Sequence, residues 1–215
     1  EQVTKQPKEK LRASVAITGE WLNHPWQQEK KQVDFYLAKG ILEGLLDRLD
    51  LEATYQELVI NDMHPGRTAQ VIVNNVPVGF IGQVHPRLQK AFDLKDTYVF
   101  DIDLDYLIEA HIDEPNFTKI PRFPTVSRDI ALVVGEGVSA GAIQATIEEA
   151  AGNLLKQVNV FDLYQGEHLE AGKKSLAFNL LYLDQERTLT DEEVENSYQA
   201  ILTAVKEAHQ AELRG

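Results

Sequence analysis

The sequence predicts an α+β protein in two parts, each an antiparallel sheet with helices packed against it. Three observations carry this. Short stretches of β-branched and aromatic residues alternating with polar ones recur through the 215 residues, and a period of two marks a half-buried strand. A few longer stretches repeat apolar residues every three or four positions instead, the stripe of an amphipathic helix. Pro115, Pro121 and Pro124 punctuate the run EPNFTKIPRFP, which places a boundary near residue 120 and divides residues 1–119 from 120–215.

In the first part, residues 1–10 are polar and charged and read as a linker or frayed end. Arg12 to Thr18 reads as a short strand closed by Gly19, and Trp21 to Trp26 as irregular. Val33, Leu37, Ile41, Leu45 and Leu49 then recur every four residues, flanked by Leu42 and Leu46, which predicts a helix over Gln32 to Asp50. Thr54 to Ile60 is a strand candidate, followed by a turn at His64-Pro65-Gly66. Ala69 to Asn74 and Val76 to Ile81 flank Asn74-Asn75 as a tight hairpin. Pro77 pushes the second of these strands toward a sheet edge or a strand start. A short helix opens at His85-Pro86, and Thr97 to Leu104 is a further strand.

The second part has a plainer order. Arg128 to Val134 is a strand with Ile130, Leu132 and Val134 on one face. Ser139 caps a helix carrying Ile143, Ile147 and Ala151. Two strands follow, Val158 to Tyr164 and Ser175 to Leu183, joined by Gln165 to Gly172, which is too long for a two-residue turn. Thr190 and Glu193 form a capping box that opens a helix with Val194, Tyr198, Ile201, Leu202 and Val205 on one side. Ala211 to Arg214 closes as an edge strand. The order β-α-β-β-α-β is that of the ferredoxin-like plait, with two helices on one sheet face and the other face open.

Composition excludes several chemistries. Without Cys there is no disulfide framework, thiolate metal site or thiol nucleophile. No run of 18 or more apolar residues occurs, and EQVTKQPKEK does not resemble a signal peptide. The start at Glu1 without Met suggests a piece of something longer. The six His never stand in H-x-x-x-H or H-E-x-x-H spacing, and no P-loop, G-x-S-x-G or G-x-G-x-x-G is present. Asp101, Asp103 and Asp105 fail the EF-hand pattern at Tyr106 and Ile112. They read as a solvated strand face, with Asp105 capping a helix from Tyr106. Arg67 and Arg87 are anion-binding candidates, with surface ion pairing the simpler account. The net charge of −13 is spread evenly: residues 120–215 hold eight Lys and Arg against fifteen Asp and Glu, a net of −7. A binder that works through phosphate attraction alone would be basic, so any RNA contact here is local and directed at bases, or depends on basic surfaces of partner chains.

The spacing offers one candidate for such a contact. Asp162 and Tyr164 are two apart in one strand and Ser175 opens the next. If register allows, an aromatic plate, an acceptor and a hydroxyl share one exposed patch, able to stack on a flat ring and read its edge. Other roles stay open: Asp162 satisfying loop amides or pairing with Lys173 or Lys174, and Tyr164 ending its strand as an amphipathic residue.

The runs FPTVSRDIALVV, FDLYQG, KSLAFNL and RTLTDEEVENSYQAI resemble the ferredoxin-fold anticodon-binding domain that closes the β subunit of bacterial phenylalanyl-tRNA synthetases. HPGRTAQVIVNNVPVGFIGQVHP and YVFDIDLDYL are similar to the catalytic-like domain of that subunit, so the resemblance is nearly continuous from about Arg12 onward. It implies a cytoplasmic (αβ)₂ heterotetramer that joins phenylalanine to its tRNA with ATP and magnesium, the α subunit holding the synthetic site. Residues 1–119 would be a truncated class II synthetase-like core without a working site, packed against α. Residues 120–215 would grip the anticodon stem-loop, Tyr164 stacking on the first anticodon base, Asp162 hydrogen-bonding it and Ser175 adding a third contact. The resemblance also implies that editing lies upstream, and that this piece is non-catalytic and binds no cofactor or membrane. Two competing readings are an assembly module with no autonomous RNA binding and an amino-acid-sensing regulatory domain.

Overall fold

The computed structural model describes residues 7, 9–111, 120–166 and 169–214. Ile112 and Pro115 of the sequence reading lie outside these. The chain divides into two compact units, Glu1–Asn116 and Phe117–Gly215, each with its own core.

In the first unit β1 (Arg12–Thr18), β4 (Ala53–Glu57), β5 (Met63–Val73), β6 (Val76–Val84) and β7 (Thr97–Asp103) form an antiparallel sheet in the order β1-β7-β6-β5-β4. Helix α1 (Phe35–Asp47) lies over one face, N-capped by Asp34, whose carboxylate accepts from the Leu37 amide at 2.7 Å. Its most buried row is Ala38, Leu42 and Leu46, while Leu37, Ile41 and Leu45 flank that row. The centre of the apolar stripe thus sits one residue beyond the predicted series, where the side chains meet Val71, Val73, Ile81, Phe100 and Ile102. At Gly79 the neighbouring strand passes so close that a Cβ would lie 2.0 Å from the Asp101 carbonyl oxygen.

The hairpin at Asn74-Asn75 forms as predicted, with φ of 50° and 63° at the two residues, the mirror-image turn whose twist suits paired strands. Three expectations are corrected. Trp21 to Trp26 is not irregular: β2 (Glu20–His24) and β3 (Glu29–Gln32) pair as a separate hairpin. His64-Pro65-Gly66 does not end a strand. It lies inside β5 as a stretch that steps out of the ladder between Met63 and Thr68, held by Thr68 Oγ1 donating to the His64 carbonyl at 2.8 Å. Of the two placements Pro77 allows, the strand start is the one found: β6 is interior, and Pro77 is its second residue, beside the turn, where a missing amide disturbs the ladder least. Finally, the cap of α3 (Leu104–Ala110) is Asp103, which accepts from the Tyr106 amide at 3.2 Å. Asp105 instead accepts from the Leu11 amide at 2.9 Å. Asp101 pairs with Arg12 and accepts from Ser14 Oγ at 2.6 Å. The short helix α2 (Pro86–Ala91) begins where His85-Pro86 places it, His85 Nδ1 accepting from the Arg87 amide.

The second unit has β8 (Val126–Gly135), α4 (Ala140–Ala151), β9 (Leu155–Tyr164), β10 (Lys173–Tyr182), α5 (Asp191–His209) and β11 (Glu212–Leu213). The antiparallel sheet runs β11-β8-β10-β9, so the fourth, first, third and second strands are neighbours, as the ferredoxin-like plait requires. One face carries Ile130, Leu132, Leu176, Phe178 and Leu180, buried against Ile143 and Ile147 of α4 and Val194, Ile201 and Val205 of α5. Ser139 caps α4. At α5 both halves of the capping box are present, between Thr190 and Glu193. The other face carries Ala131, Val133, Ser175, Ala177 and Asn179 and has no helix over it.

Candidate nucleic-acid interface

The open face takes its character from one extra residue in β9. In β9, Val158 pairs with Leu180 and Val160 with Phe178, so both belong to the core side of the ladder. The next pairings are Asp162 with Ala177 and Tyr164 with Ser175. Phe161 is therefore a bulge, left without a partner between two paired residues. Strict alternation along Val158, Val160, Asp162 and Tyr164 would have turned all four inward. The bulge reverses the parity and aims Asp162 and Tyr164 outward, as bulges commonly do at sheet edges.

The three residues singled out in the sequence do share this face. Tyr164 lies directly across from Ser175, and Asp162 stands two residues along the same strand. The exposure expected for Ser175 is corrected: it is only 3 % exposed, and its neighbour Ala177 is 9 % exposed. Small residues at the centre of the patch form its floor, with larger side chains from the flanking strands above. Asp162 is exposed, and among the described residues its carboxylate has no hydrogen-bond or ion-pair partner. Lys173 and Lys174, considered as partners for it, are engaged elsewhere. Lys173 Nζ pairs with Glu170 at 2.8 Å and Glu212 at 4.0 Å, and Lys174 Nζ donates to the Glu136 carbonyl at 2.8 Å. The paired carboxylate of Glu170 raises the Lys173 pKa.

Two residues that the spacing argument missed hold the Tyr164 ring. A Cβ on Gly166 would lie 2.7 Å from Tyr164 Oη and 2.9 Å from Cζ, so the phenol tip rests in space that only glycine leaves free. The guanidinium carbon of Arg214 sits 4.7 Å from the ring centroid, a cation–π distance. Arg214 follows β11, and its amide donates to the Ala131 carbonyl at 2.9 Å. The Gly166 signal was present in the run FDLYQG. Arg214 stands fifty residues beyond Tyr164 in sequence, and β11 and β9 are opposite edges of the sheet, so the two side chains meet only by reaching across the open face.

Elsewhere the candidates resolve into structural roles. Arg67 Nη1 donates to Gln83 Oε1 at 2.8 Å, and Gln83 Nε2 donates in turn to Asp96 at 3.0 Å. Arg87 approaches Asp62 at 3.9 Å. Among the described residues no group of three or more His, Asp or Glu could hold a metal ion, and no helix is long and apolar enough to cross a membrane.

The comparisons with known proteins fall on the same two units. Residues 1–104 match the family described as the phenylalanyl tRNA synthetase beta chain CLM domain, and residues 121–214 match the ferredoxin-fold anticodon binding domain. Among curated proteins the chain is similar to the phenylalanine–tRNA ligase beta subunit of Oceanobacillus iheyensis, 51 % identical over 205 residues, covering 95 % of this chain and 25 % of that one. The namesake from Bacillus subtilis is 48 % identical over 212 residues, 98 % of this chain and 26 % of the relative. That from Halalkalibacterium halodurans is 51 % identical over 217 residues, 100 % and 27 %. The chain thus spans about a quarter of the length of these relatives.

Proposed function

The chain belongs to the phenylalanine–tRNA ligase β-subunit family, and from that premise we propose that its second unit reads the anticodon stem-loop of phenylalanine tRNA through the open face of the plait. In this reading Tyr164 stacks on the first anticodon base and Asp162 accepts hydrogen bonds from the edge of that base. Ser175, on the floor beneath, contributes a hydroxyl. The observation that carries the reading is the bulge at Phe161, which turns an aromatic plate and an unpaired carboxylate outward over small residues. Such an arrangement suits a flat ring with donors on its edge.

Residues 1–119 serve as the catalytic-like, non-catalytic part of a class II synthetase core that supports the α subunit in an (αβ)₂ assembly in the cytoplasm. ATP-dependent aminoacylation, with magnesium, is then the work of α. The described residues offer no fitting set of metal ligands, and no chemical step is assigned to this chain.

Binding of a short phenylalanine-tRNA anticodon stem-loop to the full chain tests the reading. Tyr164→Ala is expected to lose about 1–3 kcal/mol, roughly 5- to 150-fold in Kd. Equal binding by both proteins would overturn base stacking. The net charge of −7 on residues 120–215 favours a second reading, an assembly module with no RNA affinity of its own. Binding by the whole tetramer but not by this chain would support it.

A further inference from the structure

The acidity of the second unit works against its proposed role, because an RNA strand brings one negative charge per nucleotide to a surface that already repels it. Near Tyr164 two cations are committed, Lys173 on the open face and Lys174, paired opposite Val134, on the other. Lys173 is held by Glu170 and Glu212, and Lys174 by the Glu136 carbonyl. Arg214 differs. Its main chain is fixed by the Ala131 carbonyl and by β11, yet among the described residues its guanidinium has no carboxylate or carbonyl partner. It lies on the ring of Tyr164 instead, a contact that uses its flat face and leaves its N–H donors unpaired.

We infer that Arg214 is the phosphate-facing cation of this interface, resting on the Tyr164 ring in the free chain and passing to the RNA backbone when a base takes its place. The inference rests on the base-stacking reading above and adds to it a residue and a ligand group, the phosphate beside the stacked nucleotide. Exchange in this direction is favourable. A guanidinium on a ring that is only partly buried is held weakly, whereas a guanidinium paired with phosphate makes charge-assisted, bidentate hydrogen bonds. The five donors and planar fork of Arg suit that partner. The same movement uncovers the ring face on which a base would stack, so the cation shields the aromatic plate until the negative strand arrives.

The test is a salt series of stem-loop binding by the full chain, comparing wild type with Arg214→Met, Arg214→Lys and Tyr164→Ala. Arg214→Met is expected to bind more weakly and to flatten the dependence of log Kd on log salt by about 0.7, the value of one single-strand phosphate contact. Arg214→Lys should keep the wild-type slope, and Tyr164→Ala should bind more weakly at unchanged slope. A stem-loop with a neutral methylphosphonate beside the stacked base should bring wild type down to Arg214→Met and leave that variant unaffected. If Arg214→Met keeps the wild-type slope, or binds more tightly, while Tyr164→Ala still weakens binding, the phosphate assignment is wrong and base stacking stands. Equal binding by wild type and Tyr164→Ala, or no binding by either, overturns both. Should Arg214→Met melt early, Arg214→Gln replaces it in the same comparison.

Discussion

At the scale of single residues, the candidate site depends on where one phenol ring is held. Gly166 leaves no side chain where the tip of Tyr164 lies, so Gly166→Ala must push the ring off its position. We expect this variant to bind the anticodon stem-loop more weakly while melting close to wild type, a pairing that titration and thermal denaturation check together. That Asp162 and Tyr164 share a face was legible in the sequence from the period of two, whereas the place of Ser175 beside them depended on the pairing register across the Gln165 to Gly172 connection. Arg214 was not legible, since the plait's strand order sets its strand at the opposite edge from Tyr164 and only the side-chain geometry joins them. The burial of Ser175 was hidden for a related reason: the residues that flank it come from strands distant in sequence.

At the scale of elements, the helices were read most securely because their caps are local chemistry. Thr190 and Glu193 satisfy each other's backbone at the start of α5, and Arg187 donates to Glu193 Oε2 at 2.8 Å. The Arg187 hydrogen bond, then those from Thr190, hold the Glu193 carboxyl down at about 2 against its usual 4.5. A carboxyl lowered by folding favours the folded state once it is ionised, above the unfolded value, and that contribution is lost as pH falls through the folded one. Glu193→Gln should therefore melt earlier than wild type at neutral pH. The gap should close between pH 4.5 and 2, and a gap that does not change with pH would exclude this role. Strand limits were read less well. The excursion of β5 at His64-Pro65-Gly66 carries turn residues yet stays in the sheet, because the pairing on either side of it is set by neighbouring strands.

At the scale of the molecule, each unit has a core built from its own strands and helices. Leu42 is fully buried in the first, and truncating such a side chain typically costs about 2–5 kcal/mol. Leu42→Ala is expected to lower the melting transition of the first unit and to leave stem-loop binding by the second unchanged. Calorimetry alongside a binding titration would show whether the two respond separately. The division into two α+β units was legible from the proline-rich run and the element order. The strand order was less so: in the second unit it followed from a familiar succession, whereas in the first β1 pairs with β7, some eighty residues away, which no local pattern announces.

The bulge at Phe161 has a consequence for how this surface can be edited. A strand is read in a frame of two, and an unpaired residue acts on that frame as a single inserted letter acts on a message: everything downstream changes face. Removing Phe161 closes the gap, because Val160 with Phe178 and Asp162 with Ala177 become successive pairs and Asp162 and Tyr164 keep their face. Removing Leu163, a paired residue, instead sets Asp162 and Tyr164 side by side in the strand and so on opposite faces. The recognition surface is thus specified by the count of paired residues as much as by side-chain identity. Deleting Leu163 should abolish stem-loop binding, whereas deleting Phe161 should leave it close to wild type.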